Sequence, residues 1–299
     1  MSASIDVEVV SAGSWPALAG DQRPPWYLRP GRLRCVLGGA IVTLVLVAAA
    51  LAPLLAPASP DAQELLQRLR PPGPGAVFGT DHLGRDILSR VLHGARMSVL
   101  VGLSALLVSG VAGTMLGLVA GFYGARVDLV VMKLVEMFLT IPFVLLALVV
   151  MALFGQSLVI LIIVICLNRW IHYCRVIRTE VLSLREREFV LGARALGVSS
   201  GRILLRHILP NTVASLSVIS TFSLATIILI EASLSFLGLG VPPMIPTWGS
   251  MLNEARPYMN PAWWTSVFPG LAIFVTVLGV NLLGDGVRDA FDPRLRRGI

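Results

Sequence analysis

Six stretches of the chain are apolar almost without interruption: 35–56, 98–121, 129–153, 157–173, 213–237 and 265–284. Each is close to the ~20 residues that a helix needs to cross the hydrocarbon core of a bilayer. The runs are continuous rather than alternating, which predicts spanning helices and not the strands of a membrane barrel. Asn168 and Arg169 interrupt the fourth run, which is expected to continue as helix through 174–188, with Ile177, Val181 and Leu184 as its apolar stripe. In the second run Gly110, Gly113, Gly117 and Gly121 recur every three or four positions. Such a seam lets two helix backbones approach closely, and packing within the chain is preferred over a dimer contact.

The polar segments sort by side. Placing both termini inside puts 18 basic residues on the inner side and six outside: Arg68, Arg70, Arg85, Arg90, Arg96 and Arg256. The positive-inside rule therefore favours cytoplasmic termini, with an N-tail over 1–34, an extracytoplasmic segment over 57–96, a core over 97–285 and a C-tail over 286–299. Within 78–96, Leu83, Ile87, Leu88, Val91 and Leu92 fall at helical spacing opposite Arg85, Asp86, Ser89, Arg90 and His93. This predicts an amphipathic helix over 82–93 on the outer surface, with Asp86 and Arg90 as an i,i+4 ion pair.

Composition agrees with the pattern. Hydrophobic residues make up 56% and charged residues 14% of the 299, where a soluble protein carries about 25% charged; mean hydropathy is +0.81. Most soluble enzyme classes and a DNA-binding role are excluded. The net charge of +7 lies between apolar runs, and Lys133 is the single lysine among 24 basic residues. A phosphate-binding loop needs a lysine after its second glycine; Lys133 follows Val-Val-Met, so no ordinary loop of this kind is expected on the chain. Cys35, Cys166 and Cys174 suggest neither disulfides nor zinc. His82, His93, His172 and His207 have no zinc spacing, and no metal is assigned. The N-tail has no signal-peptide h-region.

The long inner loop, 174–211, is the informative one. Glu188-Phe-Val-Leu-Gly-Ala-Arg-Ala-Leu-Gly197 predicts a short helix on which Phe189, Ala193 and Leu196 share a face. Gly197 suits its C-terminal cap and Ser199 the N-cap of the next helix, and Pro210 marks re-entry into the membrane. The exposed small-residue face either docks a cytosolic partner or packs on the chain's own basic loop.

Residues 188–210 resemble the coupling loop of bacterial ABC-importer permeases, whose pattern is Glu-Ala-Ala, three residues, Gly, and later Leu-Pro. Gly197, Leu209 and Pro210 stand at matching places; Leu191 and Gly192 depart from the pattern, and Ala193 fits it. Phe78-Gly-Thr-Asp-His-Leu-Gly-Arg-Asp86, Arg206-His-Ile-Leu-Pro-Asn211, Glu231-Ala-Ser-Leu-Ser-Phe-Leu-Gly-Leu-Gly240, Pro246-Thr-Trp-Gly249 and Asn281-Leu-Leu-Gly-Asp-Gly-Val-Arg-Asp289 are similar to the C-type permease of the dipeptide, oligopeptide and nickel importers. The resemblance implies an all-α type I permease with six transmembrane helices in the bacterial inner membrane. It also implies a second permease subunit, two cytosolic ATPases that hold ATP and Mg, and an external solute-binding protein. No cofactor and no catalysis is expected on this chain. ATPase coupling falls to Glu188, Phe189, Val190, Leu191, Gly192, Ala193, Leu196, Gly197, Leu209 and Pro210.

Other candidates are weighed against structural roles. Glu231 and Glu136 lie inside apolar runs, where a carboxylate is costly and lines a pathway or is held by hydrogen bonds; for Glu231 the structural role is preferred. Asp81, Arg85, Asp86 and Trp248, with the rigid stretch Pro242, Pro243, Pro246 and Gly249, are candidates for outer docking or gating. Asp285, Arg288, Asp289 and Asp292 read as helix-end charges and local ion pairs. The rival readings are a nickel or metal-chelate importer, a secondary transporter and a structural channel subunit.

Overall fold

A computed structural model describes residues 30–242 and 244–291; most of both expected tails, with Pro243 and Asp292, lies outside the described residues. The described residues form helices α1 (Pro30–Ala50), α2 (Ala52–Leu55), α3 (Ile87–Tyr123), α4 (Ala125–Thr140), α5 (Phe143–Phe154), α6 (Leu158–Leu184), α7 (Glu188–Ala195), α8 (Ser200–Ile203), α9 (Leu209–Phe236), α10 (Trp248–Ala255) and α11 (Trp264–Phe291). Among the described residues five helices are long and apolar enough to cross a membrane, and the bent pair α4–α5 brings the number to six when it is taken as one broken span. The architecture is all-α.

Two expectations are corrected here. Residues 82–93 do not form a separate surface helix. Asp86 ends the preceding loop as the N-cap of α3, its Oδ2 accepting the N–H of Ser89 at 2.7 Å, so Ile87 onward is an extension of the second span. At 37 residues, α3 is roughly 55 Å long, well beyond a ~30 Å hydrocarbon core. The third run is not one straight helix: α4 and α5 meet at 86°. Pro142 has no N–H to donate and pushes Ile141 into extended backbone (φ −90°, ψ 119°), which ends α4.

The glycine seam of α3 packs on α6 within the chain. A Cβ on Gly113 would lie 2.3 Å from the Trp170 carbonyl oxygen, and one on Gly117 2.7 Å from that of Cys174. A second close crossing, unread from sequence, joins α1 to α11: a Cβ on Gly38 would lie 2.3 Å from the Leu283 nitrogen. Before α9 the helix widens into a π turn over Leu204–Ile208, with Leu209 N–H donating to the Leu204 carbonyl. The wide turn accommodates Pro210, whose nitrogen cannot join the α ladder.

The helices define two ends. At one, Trp264 Nε1 donates to the Thr80 carbonyl at 3.1 Å and Trp248 Nε1 to that of Val91 at 3.0 Å, tying the loop before α3 to α11 and the first turns of α3 to α10. At the other, Arg185 Nη1 donates to the Gly121 carbonyl at 3.0 Å, and Asp128 of α4 receives Arg178 of α6 in a two-pronged ion pair.

Candidate functional site

α7 is seated by two buried residues. Val190 is fully covered and Ala193 is 9% exposed, both within a cluster with Leu118, Phe122, Ile177, Val181, Ile203, Leu204 and Ile208. Burying a valine of this kind contributes about 1.5–3 kcal/mol. α7 thus touches the ends of α3 and α6 and the approach to α9, and Arg194 adds a cation–π contact over Phe122 at 4.7 Å. The expected shared face of Phe189, Ala193 and Leu196 is corrected. Ala193 points into the chain's own core, while Phe189, Leu191 and Leu196 are 45%, 46% and 86% exposed. The helical offset decides it, because 190 and 193 are one turn apart on the inner side.

The C-terminus of α7 is a Schellman cap. Val198 N–H donates to the Ala193 carbonyl at 3.1 Å and Gly197 N–H to that of Arg194 at 3.0 Å, with Gly197 at φ +73°. Gly192 is exposed, and a Cβ there would meet nothing, so the chain's own packing does not demand its small size. Ser199 precedes α8 as N-cap. Leu209 and Pro210 open α9. Glu188 occupies the first turn of α7 and Arg194 the last, each favourable to the helix dipole.

At the opposite end three of the four expected docking residues are buried, and Asp86 is half-buried. Asp81, Arg85 and Trp248 are 5%, 7% and 2% exposed. Asp81 Oδ1 accepts the N–H groups of Leu83 and Arg85 at 2.8 and 3.0 Å, and its Oδ2 accepts Arg85 Nε at 2.6 Å and Arg90 Nη1 at 2.7 Å. Glu254 of α10 closes the network, receiving Arg85 and Arg90, the latter at 2.7 Å. Burial pushes the Asp81 carboxyl up, but the Arg85 and Arg90 guanidiniums and two backbone N–H groups outweigh it and leave it below the usual carboxylate range. The expected Asp86–Arg90 pair does not form, since Asp86 caps α3 and Arg90 turns to Asp81 and Glu254. Sequence reasoning missed Glu254, which is 164 residues from Arg90; the one available signal was the surplus of arginine in the outer segment. Asp81, His82 and Glu254 bring potential ligand atoms within 4.8 Å of one another, but both carboxylates are engaged by arginine.

Glu231 is fully buried, its Oε2 accepting Ser98 Oγ at 3.1 Å and its Oε1 Ser235 Oγ at 2.8 Å. It thereby links α9 to α3. Glu136 is exposed and pairs with Lys133 at 2.6 Å. Both residues lie in the body of α4. Asp289 approaches Arg34 of α1 at 4.0 Å.

Residues 113–297 match the family described as binding-protein-dependent transport system inner membrane component. The chain belongs to this family of ABC-importer permeases. The permease is 41% identical over 261 residues to the dipeptide transport system permease protein of Alkalihalophilus pseudofirmus, spanning 87% of this chain and 86% of that one. It is 43% identical over 267 residues to a di/tripeptide transport system permease protein of Pseudomonas aeruginosa (87% and 88%). With the oligopeptide transport system permease protein of Bacillus subtilis it shares 36% over 262 residues (88% and 86%). The permease is a multi-span membrane protein, and the match includes α7 and the helices around it.

Proposed function

We propose that this permease forms half of the route by which an ATP-driven importer carries dipeptides or oligopeptides across the inner membrane. The names of its relatives support that cargo over nickel or another chelate. A second permease supplies the other half, and a solute-binding protein delivers cargo to the end bearing Asp81 and Glu254. Two ATPase subunits, holding ATP and Mg, dock at α7. Both termini face the cytoplasm. The observation that carries this reading is the construction of α7. One side is fastened to α3, α6 and α9 through Val190 and Ala193. The other presents Phe189, Leu191 and Leu196 uncovered in a loop rich in arginine. A push on the outer side is therefore handed to three spanning helices.

Leu196→Glu tests it. Placing a charge in an apolar contact is expected to abolish co-purification of the ATPase and cargo uptake, while the permease inserts and unfolds normally. Ala193→Glu is the control: it buries a charge within the chain, and its expected effect is a destabilised loop. Normal ATPase association and uptake by Leu196→Glu would remove α7 as the coupling element.

A further inference from the structure

Arg169 lacks a counter-charge among the described residues. It lies eleven residues into α6, roughly 16 Å from the start of that helix and close to the middle of a ~30 Å core. Its side chain is 8% exposed. Nη2 reaches Ser223 Oγ only at 3.5 Å, and Nε has no partner. The neighbouring arginine pairs are spent elsewhere, Arg178 on Asp128 and Arg185 on Glu186. Glu180 is eleven residues further along α6, again roughly 16 Å away, too far to pair with it. Arginine keeps its charge under all ordinary conditions, and at this depth it faces a cavity or a charged partner rather than lipid.

The surroundings indicate which. On the side toward α9 Arg169 is backed by buried hydroxyls: Tyr173, one turn beyond it and 1% exposed, donates to Ser220 Oγ at 3.3 Å. Around the helix from Arg169, His172, Arg175 and Thr179 are all exposed. They make an uncovered strip that runs from mid-depth toward the α7 end. A strip of this polarity is not stable against hydrocarbon. One fixed ion pair would need a single cation; two arginines, Arg169 and Arg175, at successive depths along one polar strip suit an anion that moves.

We propose that this strip is a passage for carboxylate-bearing solutes, with Arg169 receiving the carboxylate at mid-depth. The inference rests on the peptide reading above, since a peptide ends in a carboxylate that a guanidinium binds through two parallel hydrogen bonds.

The test uses the complete importer in proteoliposomes, with Cys35, Cys166 and Cys174 replaced by Ala and His172→Cys as the probe. An anionic and a cationic methanethiosulfonate reagent are compared, with and without ATP turnover. The expected result is reaction about tenfold faster with the anionic reagent, a ratio that falls toward one in Arg169→Met and is retained in Arg169→Lys. Protection from both reagents in every state would show the strip covered, and an unchanged ratio in Arg169→Met would show that Arg169 sets no preference; either overturns the proposal. Loss of the second permease subunit from the Arg169→Met complex would assign the charge to that interface and also overturn it. The labelling ratio is read without cargo. Uptake of a labelled peptide by the unmodified complex checks the substrate reading separately, and its absence would withdraw that reading whatever the ratio.

Discussion

Asp81 accepts four hydrogen bonds on two oxygens, and with Glu254 it neutralises two nearly buried arginines. The sign of its pH dependence follows from the lowered carboxyl. A carboxylate held below its unfolded value contributes its full stability above that value, about 3.9, and loses it as pH falls through the folded one. The outer loop is therefore expected to be indifferent to pH from 7 to 5 and to loosen only below about 4. Asp81→Asn leaves Arg85 and Arg90 with half their counter-charge and is expected to cost about 3–5 kcal/mol. Hydrogen exchange at Thr80 and Ile87, whose amides donate to Arg70 and Gly79, reads both effects. Exchange at wild-type rates in Asp81→Asn would show that the network is dispensable. None of this was legible locally. The motif from Phe78 to Asp86 drew attention to the right residues, but helical spacing paired Asp86 with Arg90, and only the return of α10 supplies Glu254.

At the scale of elements, five of the six apolar runs fall on helices long enough to cross a membrane, and local chemistry decided what hydropathy missed. The apolar pattern of 129–153 continues across Pro142, so a hydropathy reading joins α4 to α5; the missing N–H separates them. Likewise the stripe expected over 82–93 is helical only from Ile87 onward, where Arg90 faces the buried network rather than water and the helix continues into the span. The glycine seam was legible because its period is that of a helix, although the sequence did not name α6 as its partner. The seam makes an internal contrast. At Gly113 a side chain would strike backbone at 2.3 Å, whereas a Cβ at Gly110 meets Tyr173 Cε1 at an ordinary 3.6 Å. Gly113→Val is expected to force α3 from α6 and destabilise the fold by at least about 1–3 kcal/mol, and Gly110→Ala to change little. Thermal unfolding in detergent separates the two. Equal midpoints would mean that the seam is looser than drawn.

For the whole molecule, orientation follows from which end carries unneutralised cations. At the end with α10, Arg85 and Arg90 are balanced by Asp81 and Glu254, which further reduces the charge available there to oppose translocation. At the α7 end, Arg187, Arg194, Arg202 and Arg206 have no acidic partner among the described residues. The imbalance counted from the sequence is therefore sharpened by the pairing, and it supports the proposed cytoplasmic side for α7, which the proposed ATPase contact requires. Leu66 and Leu196, at opposite ends and 98% and 86% exposed, are suited to report this. With the three native cysteines replaced, Leu66→Cys is expected to react with a membrane-impermeant thiol reagent added to intact cells, and Leu196→Cys only after permeabilisation. Labelling of both from the same side would contradict the odd number of spans that separates these positions. Labelling of Leu196→Cys alone from outside would invert the permease, and the assignment of α7 to the ATPase would fall with it.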